Sequence, residues 1–453
     1  MKPSHRQPMQ HQRGVATLVV VLVLFFIVSM VAAYTNRNLI FEQRTAANQY
    51  RSTLAMETAQ AGLEWAKAML NHGRITATCQ PSTSTTDTSF RERYLSADAN
   101  GLITIINVLG TTATATNVSE QLTPSCVFNG TGWDCDCPSN AAPSLTPPTG
   151  DAVRPAFRVR MVRATVGGRP GMVRIEAVGC TRLSSDCLSF LGQGETSEGR
   201  AIATELVALA GGLPSPPLAA LTAGGGVDVG GAAMALYNPD RDSGGTTIQA
   251  VGPVNTTNLV LSTVPGSPGA GSVIDNDTTL PNSADRMFSG VFNMWPATYQ
   301  LQPATVVLDA TSSGCSAGGC TAAGVRTALS LNPGRVIWIT GDLTVDSAGD
   351  IGSATAPALL IVNGDLSFTT AATVYGLVYT RTGTWLTAGT GTVRGAVVAE
   401  GHVSGTGTPN LVYDADVLRR LRLGSGSFVL VSGGWKDFCS TGTGAITTGG
   451  LGC

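Results

Sequence analysis

The most apolar stretch of the chain lies near its start. From Val15 to Ala33, nineteen consecutive residues carry no charge, and only Thr17 and Ser29 bring hydroxyls. As a helix rising about 1.5 Å per residue, this run nearly matches a hydrocarbon core of roughly 30 Å. It ends at Tyr34-Thr35-Asn36-Arg37, an aromatic residue followed by polar and charged ones, as a membrane interface favours. Residues 1–14 carry Lys2, Arg6 and Arg13 and no acid, which predicts a single-pass helix with its N-terminus in the cytoplasm.

The apolar pattern then narrows to one face. Arg37 to Leu70 contains no Pro, and Ala47, Tyr50, Leu54, Ala61, Trp65 and Met69 recur at three-, four- and seven-residue steps. Glu42, Gln49, Glu57, Glu64 and Lys67 occupy much of the remainder. One helix over 15–73 is predicted, closed by Asn71-His72-Gly73, because Gly tolerates the left-handed conformation that ends a helix. Residues 74–150 are polar, with one apolar island at Leu102–Leu109. Phe157–Thr165, Met172–Cys180 and Ala201–Leu209 read as strands, the first two joined by the turn Gly167-Gly168-Arg169-Pro170-Gly171. Gly211-Gly212-Leu213-Pro214-Ser215-Pro216-Pro217 then marks a boundary, so 74–211 is expected to form a head domain.

From 218 to 453 short β-rich runs alternate with Gly/Ser/Thr/Asp turns: Arg335–Thr340, Leu343–Val345, Ala358–Val362, Leu366–Phe368, Val374–Thr380 and Val393–Ala399. Gly341-Asp342-Leu343-Thr344-Val345 and Gly364-Asp365-Leu366-Ser367-Phe368 are related pentamers twenty-three residues apart, and Gly376–Tyr379 precedes Gly395–Val398 by nineteen. Repeats of this length with few charges predict stacked rungs of a parallel β-helix, with a β-sandwich as the alternative. Asp414–Leu423 reads as a short helix capped by Asp414, Phe428–Val431 as a last strand, and Trp435–Cys439 as the opening of a terminal loop. The fold class expected is α+β: a long N-terminal helix, an antiparallel head and a β-rich domain over 218–453.

Composition narrows the chemistry. Charged residues make up 13% of the chain and the net charge is −2, so there is no basic footprint for nucleic acid. All ten cysteines lie at or beyond Cys79, on the outer side, which reads as disulfides in an oxidising compartment. Local bridges are expected for Cys180 with Cys187, Cys315 with Cys320, and Cys439 with Cys453. Cys79, Cys126, Cys135 and Cys137 leave three connectivities open. No Cys/His spacing suits zinc, and no phosphate loop occurs. His72 at a helix end reads as solvated, and His402 after Glu400-Gly401 as a rung edge. Asp342, Asp346 and Asp350 recur at four-residue steps without a basic partner nearby and read as turn residues. Asn238-Pro239-Asp240-Arg241-Asp242-Ser243-Gly244 alternates oxygen ligands as calcium loops do, but its Gly comes one place late and no Glu follows at the twelfth position. No catalytic residue, cofactor or metal is expected.

Arg13-Gly14-Val15, ahead of the apolar run, resembles the type IV prepilin signal, in which a prepilin peptidase cuts after the Gly. Leu39-Ile40-Phe41-Glu42-Gln43-Arg44-Thr45-Ala46-Ala47-Asn48 and Ala55-Met56-Glu57-Thr58-Ala59-Gln60-Ala61-Gly62-Leu63 resemble the N-terminal region of PilX-type minor pilins, over roughly residues 12–70. The resemblance implies a leader at 1–14, a mature chain starting at Val15, and a spine helix at 15–73 that packs with other minor pilins and the major pilin. It also implies inner-membrane residence before assembly and a place in an extracellular pilus afterwards, where a large tip adhesin is a further partner. Major pilins carry Glu at the fifth residue after the cut, where this chain has Val19. In the family that Glu neutralises the terminal amine of the preceding subunit, so its absence suits a subunit that starts a fibre. The alternatives are a minor pseudopilin of type II secretion, whose helical insert is not found here, and a membrane-anchored β-helix enzyme acting on polysaccharide.

Overall fold

The computed structural model describes residues 13–97, 101–108, 111–112, 122–139, 143–149, 153–163, 171–183, 188, 199–231, 233–281, 283–381, 391–406 and 409–437. Most of the leader, Cys187, and the Cys439–Cys453 loop lie outside these residues.

A single helix, Arg13–Leu70, carries the membrane-length segment into the head. Its 58 residues span about 87 Å. It contains no Pro, and Asn71-His72-Gly73 follows its last turn where the stop was expected. From Ala55 onward one face is buried. Ala59, Leu63, Ala66 and Leu70 pack against Phe157, Val159, Val173, Ile175, Ala177, Ala203 and Val207. Two glycines set how close helix and sheet come. A Cβ on Gly62 would stand 3.0 Å from the Phe157 ring, and one on Gly179 would fall 2.3 Å from the Ala55 carbonyl oxygen.

The head sheet is antiparallel throughout. Its order is Gly426–Leu430, Arg200–Gly211, Met172–Cys180, Ala156–Arg163, Ser125–Phe128, Trp133–Asp136. The three expected strands are all in it. The apolar island is the strand Ile103–Val108, in a small sheet with Leu95–Ala97 and Thr111–Thr112. The last strand requires a correction to the expected 218–453 domain. Gly426–Leu430 pairs with Val207–Gly211, and Phe428 joins the core beneath the spine helix. The β-rich region is thus entered from one head strand at Gly211 and left into its neighbour at Gly426. Gly426 permits this return, since a Cβ there would sit 2.0 Å from the Ala210 carbonyl oxygen.

Between these two points the strands pair in parallel, except for the short antiparallel hairpin of Cys315–Ser316 with Gly319–Thr321. Thr305–Leu308, Val336–Ile339, Ala358–Val362, Thr373–Thr380 and Thr392–Ala399 follow one another in one ladder. Gly319–Thr321, Asp342–Val345 and Leu366–Phe368 form a second. The repeat spacings read from the sequence are registers here: Leu343 pairs with Leu366, and Gly376 with Gly395. The earlier strands Leu221–Ala223, Val227–Gly230 and Met234–Tyr237 stack on the last ones, with Leu221 opposite Val397, Val227 opposite Val403 and Leu236 opposite Leu411. The helices Ala284–Phe292, Ala322–Leu331 and Ala415–Gly424 cover this core, and Phe288 and Phe292 lie on Tyr299 and Tyr379. Asp414 caps the last helix, its Oδ1 accepting from the Val417 amide at 3.1 Å.

Candidate assembly interface

The spine helix has two halves with opposite surroundings. From Ala16 to Thr53 its described side chains are exposed, including Phe25, Phe26, Tyr34 and Phe41. Among the described residues this is the one helix long and apolar enough to cross a membrane. A continuous apolar surface of this kind is stable only against lipid or other apolar helices. Its hydroxyls are satisfied internally: Thr35 Oγ1 donates to the Val31 carbonyl at 2.6 Å and Thr45 Oγ1 to that of Phe41 at 2.9 Å. Gly14 and Val15 lie in the first helical turn and Val19 one turn further on. Glu42 is the first acid of the helix.

The packed half ends in polar contacts that fix the two ends of the chain to each other. Asn71 Nδ2 donates to the Phe428 carbonyl at 2.9 Å, and the Phe428 amide returns to Asn71 Oδ1 at 2.7 Å. The Arg91 guanidinium lies 4.8 Å from the centre of the Phe428 ring. Arg74 donates to the backbone carbonyls of Ser330 and Asp87. Along the helix, Lys67 Nζ reaches Glu64 at 2.8 Å and Glu205 at 3.5 Å. Burial works against the Lys67 charge, but the two carboxylates outweigh it and hold its pKa above the usual value. Burial dominates at Glu205 and raises its pKa despite Lys67.

The other residues singled out in the sequence have structural partners. His72 and His402 are both exposed. Glu400, beside His402, is buried and accepts from Tyr379 Oη at 2.9 Å and Arg381 Nε at 3.2 Å; Arg381 also reaches Asp285 at 2.7 Å. Asp342 Oδ1 accepts from the Asp365 amide and Asp350 Oδ1 from the Thr373 amide, so both carboxylates serve the backbone twenty-three residues on. In the Asn238–Gly244 loop the oxygens are turned inward. Asn238 Oδ1 accepts from the Asp240 amide and Asp240 Oδ2 from that of Ser243. Among the described residues no group of three His, Cys, Asp or Glu side chains could hold a metal. The four open cysteines pair as Cys79–Cys137 and Cys126–Cys135, and Cys315 bonds Cys320. Cys180 is disulfide-bonded, with Cys187 outside the described residues. The contacts of Asn71, which the sequence marks only as part of a helix stop, and of Arg91 went unnoticed, since nothing local marks a side chain whose partner lies more than three hundred residues away.

The PilX N-terminal family model matches residues 13–64. No curated protein matches the chain. Among solved structures, the competence-associated pilin ComZ from Thermus thermophilus aligns at 11% identity over 85% of this chain and 97% of its own, with a TM-score of 0.21, too low to define a shared fold. The matched segment holds the bare apolar half of the spine helix and the first turns that pack on the head, and over that segment the chain is similar to type IV pilin-like proteins of the PilX type.

Proposed function

We propose that the chain is a minor type IV pilin that primes pilus assembly and stays at or near the fibre tip. The observation that carries this reading is where the outer β-rich region is attached. It meets the chain just past the helix's last turn, where the Arg74 side chain donates to the Ser330 carbonyl and the Arg74 amide to that of Leu331, at the end opposite the apolar segment. A region of some two hundred residues there extends the subunit beyond its helix. It is accommodated without clashes where no further subunit follows.

On this reading a prepilin peptidase removes residues 1–14 in the inner membrane, and the mature chain starts at Val15 with a methylated amine. The bare helix then packs with other minor pilins and the major pilin. Val19 supports a first position: a subunit without the acid leaves the preceding subunit's ammonium unpaired in hydrocarbon, at a cost of several kcal/mol. The first subunit has no such neighbour. The outer ladders are read as a short parallel β-helix, because three strands per turn return in matched register. They present surface, and a tip adhesin is the partner such a surface would seat. The work is non-covalent, in keeping with a Glu400 that is tied to Tyr379 and Arg381.

Two measurements test this. Terminal sequencing of the mature chain should give Val15, and Gly14→Trp should block processing; an intact Met1 would sink the reading. Immunogold label should sit at fibre ends, and label spread along shafts would refute the tip position.

A further inference from the structure

A cleft of about 560 Å³ opens where the head meets the outer region. Its apolar lining includes Leu95, Ile103 and Leu209 from the head side and Leu329, Leu421 and Leu423 from the outer side. Four arginines, Arg74, Arg91, Arg335 and Arg420, stand around it against one acid, Glu92. That acid accepts from the Ser89 amide at 2.9 Å and from Ser89 Oγ at 3.0 Å, and its single charge, which favours the charged form of Arg91, offsets only part of the arginine set.

The arginines have only neutral partners. Arg91 donates to the carbonyls of Leu70 and Gly426, and its Nη1 is buried without a hydrogen bond. Arg335 donates to Asn332 Oδ1 at 2.9 Å and to the Pro303 carbonyl at 2.6 Å, and its Nε is likewise buried and unbonded. Arg74 holds the carbonyls of Ser330 and Asp87. None of the four forms an ion pair among the described residues. Burial, helped by the like charge of Arg335, lowers the pKa of Arg91 to about 10. Carbonyl dipoles satisfy hydrogen bonds but leave net charge, and a partly buried positive cluster is stabilised by whatever brings a counter-charge.

We propose that this cleft binds a small organic carboxylate, an acid group carried on an apolar body. The acid supplies the counter-charge that the arginine set lacks, and the body covers the leucine lining. Inorganic anions offer only the first and neutral apolar molecules only the second. A guanidinium-rich site also suits a planar carboxylate. Because both regions line the cleft, the bound acid stiffens their junction. This inference stands independently of the tip position.

The test uses the full chain in detergent micelles, titrated calorimetrically with 3-phenylpropionate, 3-phenylpropan-1-ol and inorganic phosphate. Saturable binding of the carboxylate, at least about tenfold tighter than the alcohol or phosphate, is expected. Arg335→Gln should weaken it by about tenfold. The exposed Arg420→Gln and Thr355→Glu serve as variants away from the packed core, and both should weaken binding, the second by supplying an internal counter-charge. Three results would overturn the proposal: no saturable binding, equal binding of the alcohol or of phosphate, or unchanged affinity in both Arg420→Gln and Thr355→Glu.

Discussion

The head and the outer region are both made of β-strands, yet different things hold them together. In the head, antiparallel strands bury one face under an amphipathic helix, and the described disulfides Cys79–Cys137 and Cys126–Cys135 close loops around it. In the outer region parallel strands approach one another through a column of small residues, Ala358, Gly376 and Gly395, in mutual register. Both glycines have positive φ, +144° and +140°, and a Cβ on Gly376 would stand 1.8 Å from the Ala358 carbonyl oxygen. Both regions bury apolar side chains, but the head adds long-range cross-links and the outer ladder adds close backbone approach. The two should fail to different substitutions.

The largest effect is expected for Gly376→Val. A branched side chain on a backbone at positive φ, aimed at the next strand, has no room. The outer region should lose its protease-resistant core, as limited proteolysis would show. Wild-type resistance would mean that the column is not the constraint. Next comes removal of Cys79–Cys137 by paired Ser substitutions. That bridge spans 58 residues, against 5 for Cys315–Cys320. Chain-entropy arguments give about 4 kcal/mol for the first and about 2 kcal/mol for the second. Equal losses in denaturant midpoints would erase the contrast between the long cross-link of the head and the short one of the ladder.

Asn71→Ala should cost about 2 kcal/mol, because it strips both hydrogen bonds from the Phe428 backbone in a buried setting. Faster hydrogen exchange at the Phe428 amide, with the parallel ladder unaffected, is the expected signature. The smallest effect concerns pH. Burial raises the pKa of Glu205 in the head and of Glu400 in the outer region, the latter against the pull of Arg381 and Tyr379. A raised folded-state pKa means that stability is full below the unfolded carboxylate value. It is lost as pH rises through the folded one. Glu400→Gln should flatten that fall for the outer region and Glu205→Gln for the head, and the pH dependence of each unfolding midpoint checks it.

Sequence reading reached the two regions unequally. The helix was legible because its period and the lack of Pro are local facts, and the ladder because Gly-Asp-Leu-Ser/Thr repeats itself in register. The Cys315–Cys320 bridge and the Asp414 cap are local too. What escaped depends on pairs distant in sequence. Phe428 looks like any outer strand residue until Val207–Gly211 lies beside it. Leu221–Ala223 gives no sign that its neighbour is Val397–Ala399. The head cysteines paired only once Ser125–Phe128 and Trp133–Asp136 faced each other, which sets Cys126 opposite Cys135.

The return of Gly426–Leu430 to the head also orders events during synthesis. The spine helix and five of the six head strands emerge first, and the sixth only after the whole outer region. Until then Arg200–Gly211 is an open edge, with amides and carbonyls available to any passing strand. Closing it requires contacts of very high sequence separation, which are slow to form. The chain therefore holds a complete helix and an unfinished head until its last strand arrives. A chain broken off anywhere in the outer region keeps an unfinished edge that marks it as incomplete.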